Sequence, residues 1–385
     1  MFSILAQNAA QESVPVTSLI ALLIFGIVFL LVLILKFKLQ AFLALIVVSV
    51  IVSIGATFVN PDQAAGLTEI GQTIVKSMGG ALGFIATIIG IGAIFGAMLE
   101  HSGGTQSLAN TLVRKFGQKK APWAMLLTGF IISIPVFLDV ALVILAPLLY
   151  ALARDTKKSV LVFGLPLVAG MAVTHAFVPP TPGPVAVAYF LNVNLGYVIG
   201  FGVLVGLPTA IICGPFLCSR MAKLVEVTTP TDQGEDLTSE EKKLPSFLQI
   251  ASLIALPIAL ILAGTVVEQS AISGIDPGLT KVERNAQVAD ILNSMPTTNQ
   301  VIHFLGHPVI ALMISTLLAI FFLGISRGTS KEDLVEISTK ALGPAGIIIL
   351  ITGAGGVFKG VLIATGIADA LKDCLLYTSD AADEV

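Results

Sequence analysis

Eight runs of mainly apolar residues recur along the chain, at Thr17–Leu35, Ala41–Val59, Ala81–Leu99, Val160–Val178, Leu195–Leu217, Phe247–Val267, His307–Ile325 and Gly343–Thr365. A helix needs about 20 such residues to cross the hydrocarbon of a bilayer, so each run is long enough for one crossing. Within lipid the backbone finds no water to bond, and a helix meets that demand internally. The chain therefore reads as an all-α polytopic membrane protein whose solvent is the lipid bilayer. Composition agrees, because 55% hydrophobic and 12% charged residues fall outside the soluble globular range. A net charge of −3 argues against a nucleic-acid partner. Met1–Ser18 has neither a basic n-region nor a following cleavage site, so Thr17–Leu35 is read as a retained first span. Cys213 and Cys218 lie at the end of an apolar span without metal-ligand spacing, which makes them small packing residues.

Basic residues set the orientation, since short cytoplasmic loops concentrate Lys and Arg. Lys36 and Lys38, the clusters Arg114–Lys120 and Arg154–Lys158, the stretch Arg220–Lys243 and the stretch Arg327–Lys340 hold sixteen of the 21 basic residues. Lys76, Lys281 and Arg284 fall in the alternate loops. The N-terminus is placed outside. A polar, acidic stretch (TTPTDQGEDLTSEEKK) marks 219–246 as a cytoplasmic tether between an N-terminal membrane half, 1–218, and a second half, 247–373. The apolar segment 121–153 is flanked by basic clusters on both sides. It reads as a re-entrant hairpin broken at Pro135, and two tilted spans would satisfy the charges equally well.

The stretch 160–192 contains THAFVPPTPGPVAV, with Pro179, Pro180, Pro182 and Pro184 inside an apolar span. Proline removes a backbone donor and clashes with the preceding turn, so a helix must break here. Unwound backbone at membrane depth is tolerated only where it is buried in protein or lines a polar cavity, and such discontinuous helices mark transporter binding sites. Thr174, Thr181 and Gly183 belong to this region and supply hydroxyls and a bare amide for a carboxylate or sugar hydroxyls. Pro184 suits the first turn of the helix that follows, whose N-terminus carries partial positive charge. Ser102, Gly103 and Gly104 offer a second carboxylate nest, or simply a helix C-cap. The glycines of Gly79–Gly96 suit close helix packing.

The second half resembles the first. At an offset of 263 residues, Gly92–Leu108 lies over Gly355–Leu371, with Gly92/Gly355, Phe95/Phe358, Leu99/Leu362, Gly103/Gly366 and Leu108/Leu371 identical and Ser102 opposite Thr365. By the charge count the two copies run in opposite directions, an inverted repeat of the kind found in secondary transporters. A chance match of two Gly-rich helices is the alternative.

SGGTQSLANTLVRKFG, VFLDVALVILAPLL, THAFVPPTPGP and GAGGVFKGVLIATG resemble motifs of the gluconate:proton symporter (gluconate permease) family within the ion-transporter superfamily, from about Thr17 to Lys372. The resemblance implies proton-coupled uptake of small hydroxy-carboxylates such as gluconate, with D-serine and hydroxybutyrate as other family substrates. It also implies an inner-membrane location and assembly as a homo-oligomer, with no cofactor. The family pattern usually has His where Thr181 stands. The chain ends in CLLYTSDAADEV, which resembles translated sequencing adapter, so 374–385 reads as a non-native tail on a C-terminally truncated transporter. Such a chain is expected to be inactive in vesicles without its remaining helices.

An ionisable group within the membrane is costly and usually faces a cavity or a partner. Asp139, deep in the apolar run after Pro135, reads as a proton-coupling acid or as a structural carboxylate at the start of the hairpin's second helix. His175 can bind a substrate carboxylate, relay a proton, or simply hydrogen-bond between helices. Lys359 pairs with an anionic substrate or with Asp139, or snorkels to the interface. A channel would need pore-lining rings from symmetric subunits. An enzyme is disfavoured because no HExxH or GxSxG motif occurs, and an ATP-driven pump because no GxxxxGK[ST] loop does. Coupling to sodium in place of protons stays open.

Overall fold

The computed structural model describes residues 16–61, 66–222, 224–225, 227, 244–273, 275 and 281–380. Most of the 219–246 tether and the end of the 374–385 tail lie outside the described residues. Those described are helical and contain no strand. All eight apolar runs are helices long and apolar enough to cross a membrane.

One compact unit is formed by the described residues within 1–84 and 347–385. Helices α1 (Val16–Leu35) and α2 (Ala41–Val59) pair across a short turn. Gln40 caps α2 by accepting the Leu43 amide at 3.2 Å. Helices α3 (Ile70–His101) and α14 (Lys331–Ala364) each contribute one end to this unit, and α15 (Ile367–Asp380) completes it. Its core joins Leu19 and Leu23 of α1, Val48 and Val52 of α2, Val357 and Val361 of α14, and Ile367 and Ala370 of α15. Buried Asn60 donates to the Thr365 carbonyl at 3.2 Å, tying the end of α2 to the turn after α14.

The second unit comprises residues 85–346. Helix α4 (Gly104–Phe116) follows α3, and segment 121–156 forms two helices, α5 (Ala121–Ile132) and α6 (Leu138–Thr156), interrupted around Pro135. At 1.5 Å per residue α5 is roughly 18 Å long, too short to span hydrocarbon. The chain continues through α7 (Leu161–Phe177), α8 (Pro182–Leu191), α9 (Leu195–Ile211) and α10 (Phe247–Ile272). Between α10 and α13 (Pro308–Ala319) lie two helices without a strong apolar signature, α11 (Lys281–Ser294) and α12 (Thr297–Gly306). The core is built from Phe95, Met98 and Leu99 of α3, Met125 of α5, Leu145 and Leu149 of α6, and Phe163 and Leu167 of α7. Helices α5 and α7 touch backbone to backbone, because a Cβ added at Gly129 would stand 2.2 Å from the Leu167 carbonyl and one at Gly170 2.3 Å from that of Leu126. This small-residue contact anchors the hairpin on the broken helix.

Two helices begin earlier than their apolar runs: α3 at Ile70 instead of Ala81, and α14 at Lys331 instead of Gly343. Apolar periodicity locates only the buried stretch, whereas helix propensity carries α14 on through a charged turn. There Lys340 and Glu336 form an exposed i,i+4 ion pair of 2.6 Å, in the orientation that supports a helix.

The aligned segments carry the same backbone junction. Gly103 ends α3 at φ 73° and Gly366 ends α14 at φ 74°. The Gly103 amide donates to Glu100 and the Gly366 amide to Ile363, three residues back in both cases. The preceding hydroxyls also turn inward, Ser102 bonding the Leu99 carbonyl at 3.0 Å and Thr365 that of Val361 at 2.8 Å. Left-handed backbone at these positions favours glycine.

Candidate functional site

Prolines at 179, 180, 182 and 184 remove the donors that the carbonyls of His175, Ala176, Val178 and Pro180 would meet four residues on. Helix α7 accordingly stops at Phe177, and α8 restarts at Pro182 after a cis Pro179–Pro180 bond. Val178 O is recovered by the Thr181 hydroxyl, which donates to it at 2.6 Å. In the hairpin the Ile134 amide turns to Ile131 O, which releases Phe130 O. The Thr174 hydroxyl takes up that carbonyl at 2.9 Å. Thr174 is fully buried, so its hydroxyl braces the two breaks against each other and is not offered to a ligand. Thr174→Val is expected to lower stability by about 1 kcal/mol and leave ligand affinity within twofold, measured by thermal unfolding and by titration in detergent.

The two breaks converge. A cavity of about 20 Å³ is walled by Ile134–Phe137 of the hairpin, by His175 and Pro180–Pro182 of the broken helix, and by Ile89, Gly92 and Ala93 of α3. His175 is half-buried, and its ring meets Phe137 edge-on with centroids 6.2 Å apart. Its Nδ1 is buried with no hydrogen-bond partner. Helices α6 and α8 both begin at this cavity, and helix N-termini carry partial positive charge. A larger cavity of about 330 Å³ shares Ala93 and Pro135–Phe137 with the first and continues past Gly96, Glu100, His101, Val140 and Lys340.

His175 and Thr181 line the same small cavity. Asp139 is placed differently: it is exposed, in the first turn of α6. Phe137 and Val140, three residues apart, turn into the larger cavity, and the 100° step of a helix carries Asp139 off that face. It remains near enough to act electrostatically on His175. Its place in the first turn is also where the dipole favours a carboxylate. Gly183 is exposed next to Pro182 at the start of α8. Ser102 and Gly103 form the α3–α4 junction, the Ser102 hydroxyl receiving the Gly104 amide at 3.3 Å, and neither lines a cavity described above. Lys359 is half-buried in α14, within the unit of residues 1–84 and 347–385.

Sequence reasoning missed Phe137 and Glu100, and it read Gly92 and Gly96 as packing glycines without naming what they pack against. Gly92 and Gly96 form a GxxxG pair, a pattern that signals close approach. A Cβ at Gly96 would stand 2.1 Å from the Pro135 carbonyl, and one at Gly92 3.8 Å from the Pro180 ring. One glycine face of α3 therefore seats both breaks.

Eight membrane-length helices with two interrupted segments meeting at a cavity define a multi-pass α-helical membrane protein with a broken-helix site. The sequence matches the GntP family permease model over residues 18–379, reaching into the 374–385 tail. The chain belongs to this family of permeases, and it is a multi-pass inner-membrane protein. It is 37% identical to the inner membrane permease YgbN of Escherichia coli, over 93% of this chain and 75% of that protein. The gluconate permease of Bacillus subtilis is 34% identical over 92% and 75%. The Gnt-II system L-idonate transporter of Escherichia coli is 30% identical over 92% and 74%.

Proposed function

We propose that the chain is a secondary transporter that takes up gluconate, or a closely related small hydroxy-carboxylate, together with protons. The observation that carries this is the meeting of two helix breaks around the unpartnered Nδ1 of His175. The starts of α6 and α8 and the imidazole suit a carboxylate. The carbonyls of His175, Ala176 and Pro180, stripped of their helical donors by proline, suit the hydroxyls of a polyol. Relatives named as gluconate and L-idonate transporters fit that pairing of one acid with several hydroxyls. Asp139 and His175 act as the proton-coupling pair. Thr181 and Gly183 contribute to substrate binding, and Ser102–Gly103 act as a second anion contact. The hairpin is re-entrant, the two halves form an inverted repeat, and the transporter assembles as a homo-oligomer.

The test uses the chain extended at its C-terminus with the corresponding part of a relative. Bound labelled gluconate should be displaced by L-idonate and not by uncharged glucose. Equal displacement by glucose would overturn the carboxylate site.

A further inference from the structure

We propose that the 330 Å³ cavity is the cytoplasmic mouth of the transport route and that Glu100 is its proton-controlled charge. Protonated, Glu100 lets an anionic substrate remain; ionised, it drives the anion out. The inference rests on the proposed transport of a hydroxy-carboxylate.

The cavity adjoins the binding region through Pro135–Phe137 and extends to the C-terminal end of α3. The loop after α4 carries Lys119 and Lys120, and Arg114 and Lys115 close α4 itself, the signature of the cytoplasmic side. Glu100 is half-buried in the cavity wall among Ala93, Ala97, Val136 and Val140. Among the described residues its carboxylate has no hydrogen bond and no ion pair. The other charged or titratable groups around the cavity leave it uncompensated. His101 is exposed at the end of α3. Lys340 also lines the cavity, but it is engaged by Glu336 at 2.6 Å, with side chains 76% and 61% exposed. Asp139 on α6 is exposed and does not line the cavity. A carboxylate in the wall of a half-dry cavity repels an anion that enters it, and one proton removes the repulsion. The aligned position in the second segment is Ile363, so the charge belongs to one copy alone, as a device for one face of the membrane requires.

The experiment measures labelled gluconate binding to the C-terminally extended chain in nanodiscs at pH 5.5 and 7.5. Retention by the wild type should weaken about tenfold at the higher pH, the effect of one like charge at this range. Glu100→Gln should hold the difference within about twofold, and Glu100→Asp should restore it. An unchanged pH dependence in Glu100→Gln, or none in the wild type, overturns the proposal and leaves the gluconate site standing. A wild type that binds no gluconate at either pH overturns the substrate assignment itself. Sidedness is read independently, in a background lacking Cys213, Cys218 and Cys374. Ala97→Cys should react with a membrane-impermeant thiol reagent from the cytoplasmic face, and labelling from the outer face alone would overturn the mouth.

Discussion

In the C-terminally extended chain, Gly96→Leu is expected to reduce gluconate uptake by about a hundredfold while the protein still inserts as a helical bundle. A Cβ at this position would stand 2.1 Å from Pro135 O, 3.1 Å from its carbonyl carbon and 3.4 Å from Val136 Cα. Those atoms are backbone and cannot rotate aside, so the hairpin tip must move. Moving it carries Phe137, the ring packed against His175, away from the broken helix. The overpacking costs about 1–3 kcal/mol of stability, and misplacement of the binding groups costs more in rate. The matched control is Gly90→Ala, whose Cβ would meet only Leu342 Cδ2 at 3.8 Å; it should transport normally. Uptake and thermal midpoint measured on both variants decide the matter, and normal uptake by Gly96→Leu would separate the hairpin tip from function.

In the C-terminally extended chain, Asp139→Asn should abolish uphill accumulation of substrate and spare its exchange across the membrane. Asparagine keeps the shape and the first-turn position in α6 but removes the charge that acts on His175. A site without that charge still binds and reorients with substrate, while His175 loses the carboxylate partner proposed for coupling. Counterflow and gradient-driven uptake, measured side by side in vesicles, separate the two activities. Accumulation driven by pH in Asp139→Asn would remove Asp139 from coupling and leave His175 or Glu100 to carry it.

The breaks were legible because proline states its effect locally: four prolines between 179 and 184 and one at 135 end helices wherever they stand. The eight spans were legible for a similar reason, since a long apolar run in a helix admits few other fates. The partners of the freed carbonyls were not. That Thr174 reaches Phe130 O and Thr181 reaches Val178 O depends on how α7 lies against α5, which no local pattern specifies. Asp139 shows the same limit: position in an apolar run gives depth, whereas exposure depends on which face of α6 turns to the cavity. Glu100 went unnoticed because it sits at the polar end of a span, where a carboxylate ordinarily faces water. The GxxxG pair Gly92–Gly96 announced a close contact without naming the two proline breaks that fill it.

Labelled gluconate uptake into vesicles holding the C-terminally extended chain, with and without an imposed inward proton gradient, tests the central claim most directly. Accumulation that appears with the proton gradient, saturates with gluconate and is lost when the gradient is collapsed is the predicted result. Uptake indifferent to the proton gradient but driven by sodium, or a flux that rises linearly without saturation, would contradict it.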